Sequence, residues 1–211
     1  MDQKYEWYAM KLVIINVIIF VFQAIFPVIT DNFVLVSADV VARPWILVTS
    51  MFLHGSITHL FYNMFALALF GSILEKFVGS RNFLFAYFLG GIVASIGSVF
   101  FYAAVLGASG AIFAIQGYLA AIRPKMMMWV YGAPMPMFVA VILWAGFNFA
   151  GLFFPAGIAY ASHLFGLAFG ILFGIYTILK YPHVREQREK KHDRVMSEKE
   201  LDRWEDNYMR N

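Results

Sequence analysis

Four polar side chains stand in long apolar stretches, and their types are those that carry out hydrolysis. Ser109 lies between glycines in "VLGASGAIFA", His163 follows a serine in "SHLFGLAFG", and His59 and Asn63 are four residues apart in "THLFYNM". A serine hydroxyl becomes a nucleophile when a neutral imidazole takes its proton, which the imidazole later returns to the leaving group. The residue types therefore predict acyl transfer by Ser109 and His163. His59, Asn63 and the Ser109 backbone N–H are the candidate oxyanion donors.

The elements that must position these residues are membrane-spanning helices. The chain of 211 residues is 61% hydrophobic and 14% charged, whereas soluble domains are about 25% charged. Its charge-free runs are long enough for six crossings of about 20 residues each. The expected fold is an all-α, polytopic membrane protein, a bundle of six transmembrane helices at roughly 12–29, 57–74, 83–103, 109–122, 133–150 and 158–179.

The charged residues predict the orientation and the domain limits. Lys and Arg are concentrated before span one, between spans two and three, between spans four and five, and after span six. Short loops rich in these residues face the cytoplasm, so we expect a multi-pass protein of the plasma membrane with both termini cytoplasmic. Residues 1–180 are predicted to form the membrane domain and residues 181–211 a charged cytosolic tail. The net charge of +3 arises from the membrane part, so we expect no nucleic-acid partner.

The depth of the four polar residues separates two interpretations. A lone serine in a membrane helix is more often a packing residue, and a lone histidine there is a packing residue, a proton-relay group or a metal ligand. In the predicted topology, however, all four lie in the outer half of their spans, a depth that independent packing residues have no reason to share. Span four is roughly 21 Å long against a hydrocarbon core of about 30 Å. Ser109, at its outer end, is therefore expected below the membrane surface, under a water-filled hollow.

The surroundings of His163 predict that no acidic residue orients it and that its helix packs closely against that of Ser109. The spans contain no Asp that could orient the imidazole, so we expect a Ser–His dyad rather than a triad, with no cofactor and no metal. Small residues on both spans allow a close approach of the two backbones. On span six they follow His163 along one helical face, and on span four they flank Ser109: Gly166, Gly170 and Gly174, and Gly107, Gly110, Ala111 and Ala114.

Three segments together resemble the rhomboid family of intramembrane serine proteases, over nearly all of the predicted membrane part. "FLHGSITHLFYNMFALALFG" resembles that family's second span with its His-x-x-x-Asn, "GASGAIFAIQG" the Gly-x-Ser-Gly segment with the nucleophile, and "ASHLFGLAFG" the last span with the base histidine. The resemblance implies a rhomboid-like six-helix bundle. It also implies Ser109 as nucleophile and His163 as base. His59, Asn63 and the Ser109 amide are then the implied oxyanion donors.

The activity expected from this resemblance is an intramembrane serine endopeptidase that cleaves transmembrane substrates near the outer membrane face. A helix in lipid offers no peptide bond until it unwinds. The expected partners are therefore the lipid bilayer and single-span transmembrane proteins with helix-weakening residues. The family also suggests that Phe113 stacks on His163 and that span five borders the substrate entrance. Trp144 on that span is either an interfacial belt residue or a plug that fills the gap to span two near Tyr62.

Other membrane functions need features that the sequence does not have. Aspartyl intramembrane proteases need two buried Asp, intramembrane metalloproteases need His-Glu-x-x-His, and transporters use broken helices with midplane charges. A rhomboid relative that binds and routes membrane proteins without cleaving them is the alternative from another functional class. Such relatives usually lack the serine or the histidine, whereas this chain has Ser109 and His163. Labelling of Ser109 by a fluorophosphonate probe would discriminate the two.

Overall fold

A computed structural model describes residues 5–130, 132–154 and 157–181, together with Leu201, Arg203 and Asp206. The predicted tail 181–211 therefore lies almost entirely outside the described residues. The described chain is mostly helical. Its helices are α1 (Tyr8–Ile25), α2 (Val28–Phe33), α3 (Ile46–Thr49), α4 (Ile57–Ala66), α5 (Ser72–Val99), α6 (Ser109–Ile122), α7 (Met137–Gly151) and α8 (Tyr160–Lys180).

Length and composition decide which helices can cross a bilayer. Within the described residues, three helical stretches are long and apolar enough: Tyr8–Ile25, Ile57–Val99 and Tyr160–Lys180. The second stretch joins α4 to α5 through a π-helical turn at Leu67–Gly71, and Gly79 interrupts it with φ 77° and ψ 159°. α6 and α7 are apolar but shorter, at 14 and 15 residues. A helical, multi-pass membrane protein is confirmed, while the number of six crossings stays a prediction.

The chain before α7 differs from the prediction. Span five was expected to start at 133, but residues Ala133–Pro136 form a strand, β4, that pairs with β3 (Met127–Val130) in an antiparallel hairpin. Prolines at positions 134 and 136 explain the extended backbone, because proline removes a backbone donor and disfavours helix at the residue before it. The expected helical start at 133 was wrong, and α7 begins at Met137.

The loops before α3 and before α6 carry a second, smaller pair of strands. β1 (Leu35–Val36) pairs with β2 (Ala104–Val105) in antiparallel register. β1 follows α2, which itself starts directly after Pro27, so the first predicted span ends earlier than 29. β2 precedes α6. The pairing therefore attaches the loop after α2 to the segment that leads into Ser109.

α6 is the central helix of the bundle and packs against α8 through glycines. A Cβ built on Gly166 would lie 2.1 Å from the carbonyl oxygen of Gly110, and one on Gly170 would lie 1.9 Å from that of Ala114. Both distances are far below van der Waals contact, which is about 3.5 Å. Only glycine therefore permits the observed approach of α8 to α6, and the predicted close packing along this face is confirmed.

A buried carboxylate attaches α1 to the rest of the bundle. Glu75, near the start of α5, is fully buried, and its two carboxylate oxygens accept from the backbone N–H groups of Tyr8 at 2.9 Å and Ala9 at 3.0 Å. Ser80 also donates its hydroxyl to Glu75 at 2.6 Å. The first N–H groups of a helix lack partners within the helix and favour negative charge. Glu75 thus caps α1 and stabilises its docking.

Candidate active site

The structure brings Ser109 and His163 into direct contact. Ser109 is the first residue of α6, and His163 lies in the first turn of α8. The Nε2 atom of His163 is 2.8 Å from the Oγ atom of Ser109. The glycine contacts between α6 and α8 allow this distance, since they set the separation of the two backbones just below the pair. The imidazole can therefore accept the hydroxyl proton without any rearrangement.

The other ring nitrogen of His163 contacts a residue that the sequence analysis did not single out. Nδ1 lies 2.7 Å from Oδ1 of Asn148, which belongs to α7. The Asn148 Nδ2 donates at 2.8 Å to the carbonyl oxygen of Trp144, one turn earlier in the same helix. A polar residue within an otherwise apolar helix is the signal that could have identified Asn148.

Phe113 stacks on His163, as the family resemblance implied. Their ring centroids are 4.4 Å apart and the planes differ by 10°. Phe113 follows Ser109 by one turn of α6, so both residues face α8. The stacked ring covers one face of the imidazole and restricts its rotation. His163 is thus held by a ring face and by a contact at each nitrogen.

Trp144 packs between α7 and the π-helical turn after α4, and not beside Tyr62 as the plug alternative required. Its ring lies edge-on to Phe70, with centroids 5.6 Å apart, and edge-on to Phe113 at 6.5 Å. Tyr62 is instead 67% exposed, and its ring contacts Phe61. Trp144 therefore packs at the level of Phe70, further along the chain from α4 than the plug alternative near Tyr62 required.

His59 and Asn63 lie on α4 and face the same cavity as Ser109. Ser56 caps α4 by accepting from the His59 backbone N–H at 3.1 Å, and the Asn63 Nδ2 donates to the His59 carbonyl oxygen at 2.9 Å. Gly107 (φ 124°) leaves open the space between His59 and the serine. A Cβ at that position would lie 2.9 Å from His59 Nε2 and 3.9 Å from Ser109 Oγ. His59 and Ser109 thus border one small opening.

A cavity of about 1160 Å³ lies above these residues. Residues of α4, α6 and α8 line it, together with residues 101–102, 104–106, 151–152 and 157–159. All four polar residues from the sequence analysis are among them: Ser109, His163, His59 and Asn63. A hollow is therefore present beside Ser109, and its place at the outer membrane face stays a prediction. It is large enough to take several residues of an extended peptide beside the hydroxyl.

His54 is a second histidine next to α4, outside the membrane-spanning segments. Its ring centroid is 5.1 Å from that of His59, and the residue is only 3% exposed. Burial lowers the pKa of His54 to about 4, and the neighbouring His59 lowers it as well. His54 is therefore neutral near pH 7 and adds no charge beside the opening.

Comparison with known proteins identifies the family to which this fold belongs. Residues 41–180 match the family model for the rhomboid domain. The chain is 30% identical over 169 residues to the mitochondrial Rhomboid protein 1 of Saccharomyces cerevisiae. This match covers 75% of this chain and 49% of that protein. It is 38% identical over 130 residues to the rhomboid protease GluP of Bacillus subtilis, covering 60% and 24%, respectively. With the putative rhomboid protease YdcA of the same organism, identity is 32% over 143 residues, covering 64% and 68%. The chain thus spans about half the length of the yeast relative and about a quarter of GluP.

Proposed function

Because this chain belongs to the rhomboid family, we propose that it is an intramembrane serine endopeptidase. Ser109 is the nucleophile and His163 the general base. The observation that carries this proposal is the 2.8 Å contact between His163 Nε2 and Ser109 Oγ at the floor of a cavity. An isolated packing serine would not need an imidazole nitrogen at hydrogen-bond distance and an opening above it.

The proposed reaction proceeds in two acyl transfers. Ser109 Oγ attacks the scissile carbonyl carbon while its proton moves to His163 Nε2, which gives a tetrahedral oxyanion and an imidazolium. The imidazolium then gives the proton to the amide nitrogen, the C–N bond breaks, and the amine product leaves an acyl ester on Ser109. Water attacks this ester with His163 again as base. Release of the acid product restores the hydroxyl.

The oxyanion needs hydrogen-bond donors, and three groups near Ser109 are the proposed ones. Ser109 begins α6, and the first N–H groups of a helix have no partner within it. Its backbone N–H is therefore the first donor. His59, which borders the opening at Gly107, is the second proposed donor. Asn63, one turn further along α4, is the third. Removal of one such donor typically lowers turnover by about 10²–10³.

The proposed membrane arrangement follows the distribution of charge. Six crossings put the cavity at the outer end of the bundle and both termini in the cytoplasm of a plasma-membrane protein. The loop at 101–106 and residues 157–159 before α8 then lie on the outer side. Substrates are single-span transmembrane proteins that unwind near the outer face, since an intact helix keeps its peptide bonds paired.

Cleavage of a defined substrate tests this function. The purified chain is reconstituted in liposomes with a single-span model protein that has Gly, Pro and Ala near its outer end, and the products are identified by mass. We expect one or a few cuts near that end, and none with Ser109→Ala. Substrate that stays uncleaved, or equal cleavage by Ser109→Ala, would contradict the proposal. A substrate that stays uncleaved but binds the chain stably would instead favour a non-catalytic relative that binds membrane proteins.

A further inference from the structure

The outer half of α7 has one polar side chain, and it turns away from the exposed surface of the helix. Asn148 is 7% exposed, whereas its neighbours Phe147 and Phe149 are 62% and 60% exposed. An amide in an apolar environment is costly unless it has hydrogen-bond partners. Asn148 has two, one in α7 and one in α8. Its position therefore needs an explanation other than packing.

The partners of Asn148 determine which of its ends faces His163. The Trp144 carbonyl oxygen only accepts, so the group 2.8 Å from it must be the Asn148 amide nitrogen. The amide oxygen is then the group that faces His163 Nδ1, at 2.7 Å. Because this oxygen only accepts, Nδ1 must carry the ring proton. In the neutral ring, the lone pair on Nε2 is left for the Ser109 hydroxyl, 2.8 Å away.

We propose that Asn148 is a positioning residue that sets the tautomer and the orientation of His163. The proposal rests on the proposed role of His163 as base, and it extends the expected dyad to a relay from the Trp144 carbonyl through Asn148 to His163 and Ser109. The contact also ties the outer half of α7 to α8 at the level of the nucleophile.

The chemistry explains why the base needs this contact. The tautomer of a neutral histidine is set by the hydrogen bond that its other nitrogen makes. With the proton on Nε2, His163 could not accept from Ser109. After proton transfer both nitrogens are donors, and the Asn148 oxygen still accepts from Nδ1–H. An amide serves as the third member in papain-like proteases, so a carboxylate is not required.

Substitution of Asn148 gives the first arm of the test. Asn148→Leu keeps the side-chain volume and removes the acceptor. Asn148→Asp keeps an acceptor oxygen towards His163, removes the donor to Trp144 and adds a carboxylate charge. Loss of a buried hydrogen bond to the base should lower kcat by about 10- to 100-fold, with KM nearly unchanged. We expect this loss for Asn148→Leu and a kcat within about tenfold of the parent chain for Asn148→Asp.

Asn82 supplies a matched control. Its amide nitrogen donates at 2.9 Å to the carbonyl oxygen of Val78, one turn earlier in its own helix, as that of Asn148 does to Trp144. Asn82 lies in α5, outside the cavity lining. Asn82→Leu should therefore leave kcat within about twofold of the parent value, while the melting temperatures of all variants report folding.

The second arm measures the tautomer itself and does not depend on activity. Imidazole ¹⁵N shifts are recorded on histidine-labelled chain in detergent micelles, and the His163 signals are assigned with His163→Gln. We expect a pyrrole-type Nδ1 and a pyridine-type Nε2 in the parent chain and in Asn148→Asp. Asn148→Leu should shift His163 towards the opposite tautomer or a mixture of the two.

The two arms separate this proposal from the proposed function. An inactive parent chain whose His163 tautomer still depends on Asn148 would contradict the proposed protease function and support the positioning role. An active parent chain with unchanged tautomer in Asn148→Leu would leave the protease standing and overturn the role of Asn148. Equal kcat for Asn148→Leu and the parent chain would overturn it as well.

Discussion

Replacing Gly166 by alanine should separate the nucleophile from its base. Gly166 lies three residues after His163, and it packs against Gly110, the residue after Ser109. The new Cβ would start 2.1 Å from the Gly110 carbonyl oxygen, whereas non-bonded heavy atoms rest at about 3.5 Å. α6 and α8 must therefore move apart by roughly 1 Å or more at this level. This displacement would lengthen the 2.8 Å distance between His163 Nε2 and Ser109 Oγ beyond the length of a hydrogen bond.

The size of the effect follows from the geometry. A misplacement of about 1 Å in a catalytic group can cost roughly 100-fold in rate, so Gly166→Ala should retain about 1% of the parent turnover. Overpacking a well-packed core costs about 1–3 kcal/mol of unfolding free energy. For a domain of this size we expect the melting temperature to fall by about 2–12 °C. Turnover of a model transmembrane substrate and thermal unfolding in detergent measure the two effects.

Two glycines provide matched controls. A Cβ on Gly174 would lie 2.5 Å from the Ala121 Cβ, on the same helical face but about 16 Å along α8 from His163. Gly174→Ala should lower the melting temperature similarly and turnover by less than about tenfold. Gly146 has nothing within 4 Å of its Cβ position, so Gly146→Ala should leave turnover unchanged. Parent-like turnover and melting for Gly166→Ala would refute the packing argument.

Two further predictions concern residues of α4 and the loop before it. His59→Ala and Asn63→Ala should each lower turnover by about 10²–10³ while Ser109 still reacts with a fluorophosphonate; near-normal turnover of both variants would make them packing residues. His54 has a pKa of about 4 in the folded chain, against 6.5 for an unperturbed histidine. The unfolded chain therefore binds more protons between these values, and stability should fall as pH decreases from about 6.5 to about 4. The melting temperature of His54→Phe should show a smaller fall over that window than the parent chain, and identical pH dependence would contradict the assignment.

The pairing of Ser109 with His163 could be predicted because two independent sequence patterns agreed. Polar residues are costly in lipid, so a serine and a histidine at one depth indicated a site. The glycines after His163 indicated that its helix approaches a neighbour closely. The bounds of α6 also matched the predicted span, because Arg123 ends the apolar run and Gly107, at positive φ, precedes its start.

Other features depend on how helices rotate and tilt against each other, which hydropathy does not encode. Residues 133–136 carry no charge, and the absence of charge alone places them in a span, whereas the prolines at 134 and 136 favour the extended backbone of β4. The partner of Trp144 is Phe70 rather than Tyr62, since the tilt of α7 sets the level at which its ring packs. Asn148 could have been noted as a polar residue in lipid, but its contact with His163 depends on the rotation of α7.

Covalent labelling of Ser109 tests the central claim most directly. The purified chain is incubated with a fluorophosphonate, digested, and the modified peptide identified by mass spectrometry. We expect one adduct, on Ser109, in the parent chain, none in Ser109→Ala, and labelling slowed by orders of magnitude in a folded His163→Ala, because an unassisted hydroxyl is a weak nucleophile. An adduct on another residue, or equal labelling of His163→Ala and the parent chain, would contradict a nucleophile activated by His163.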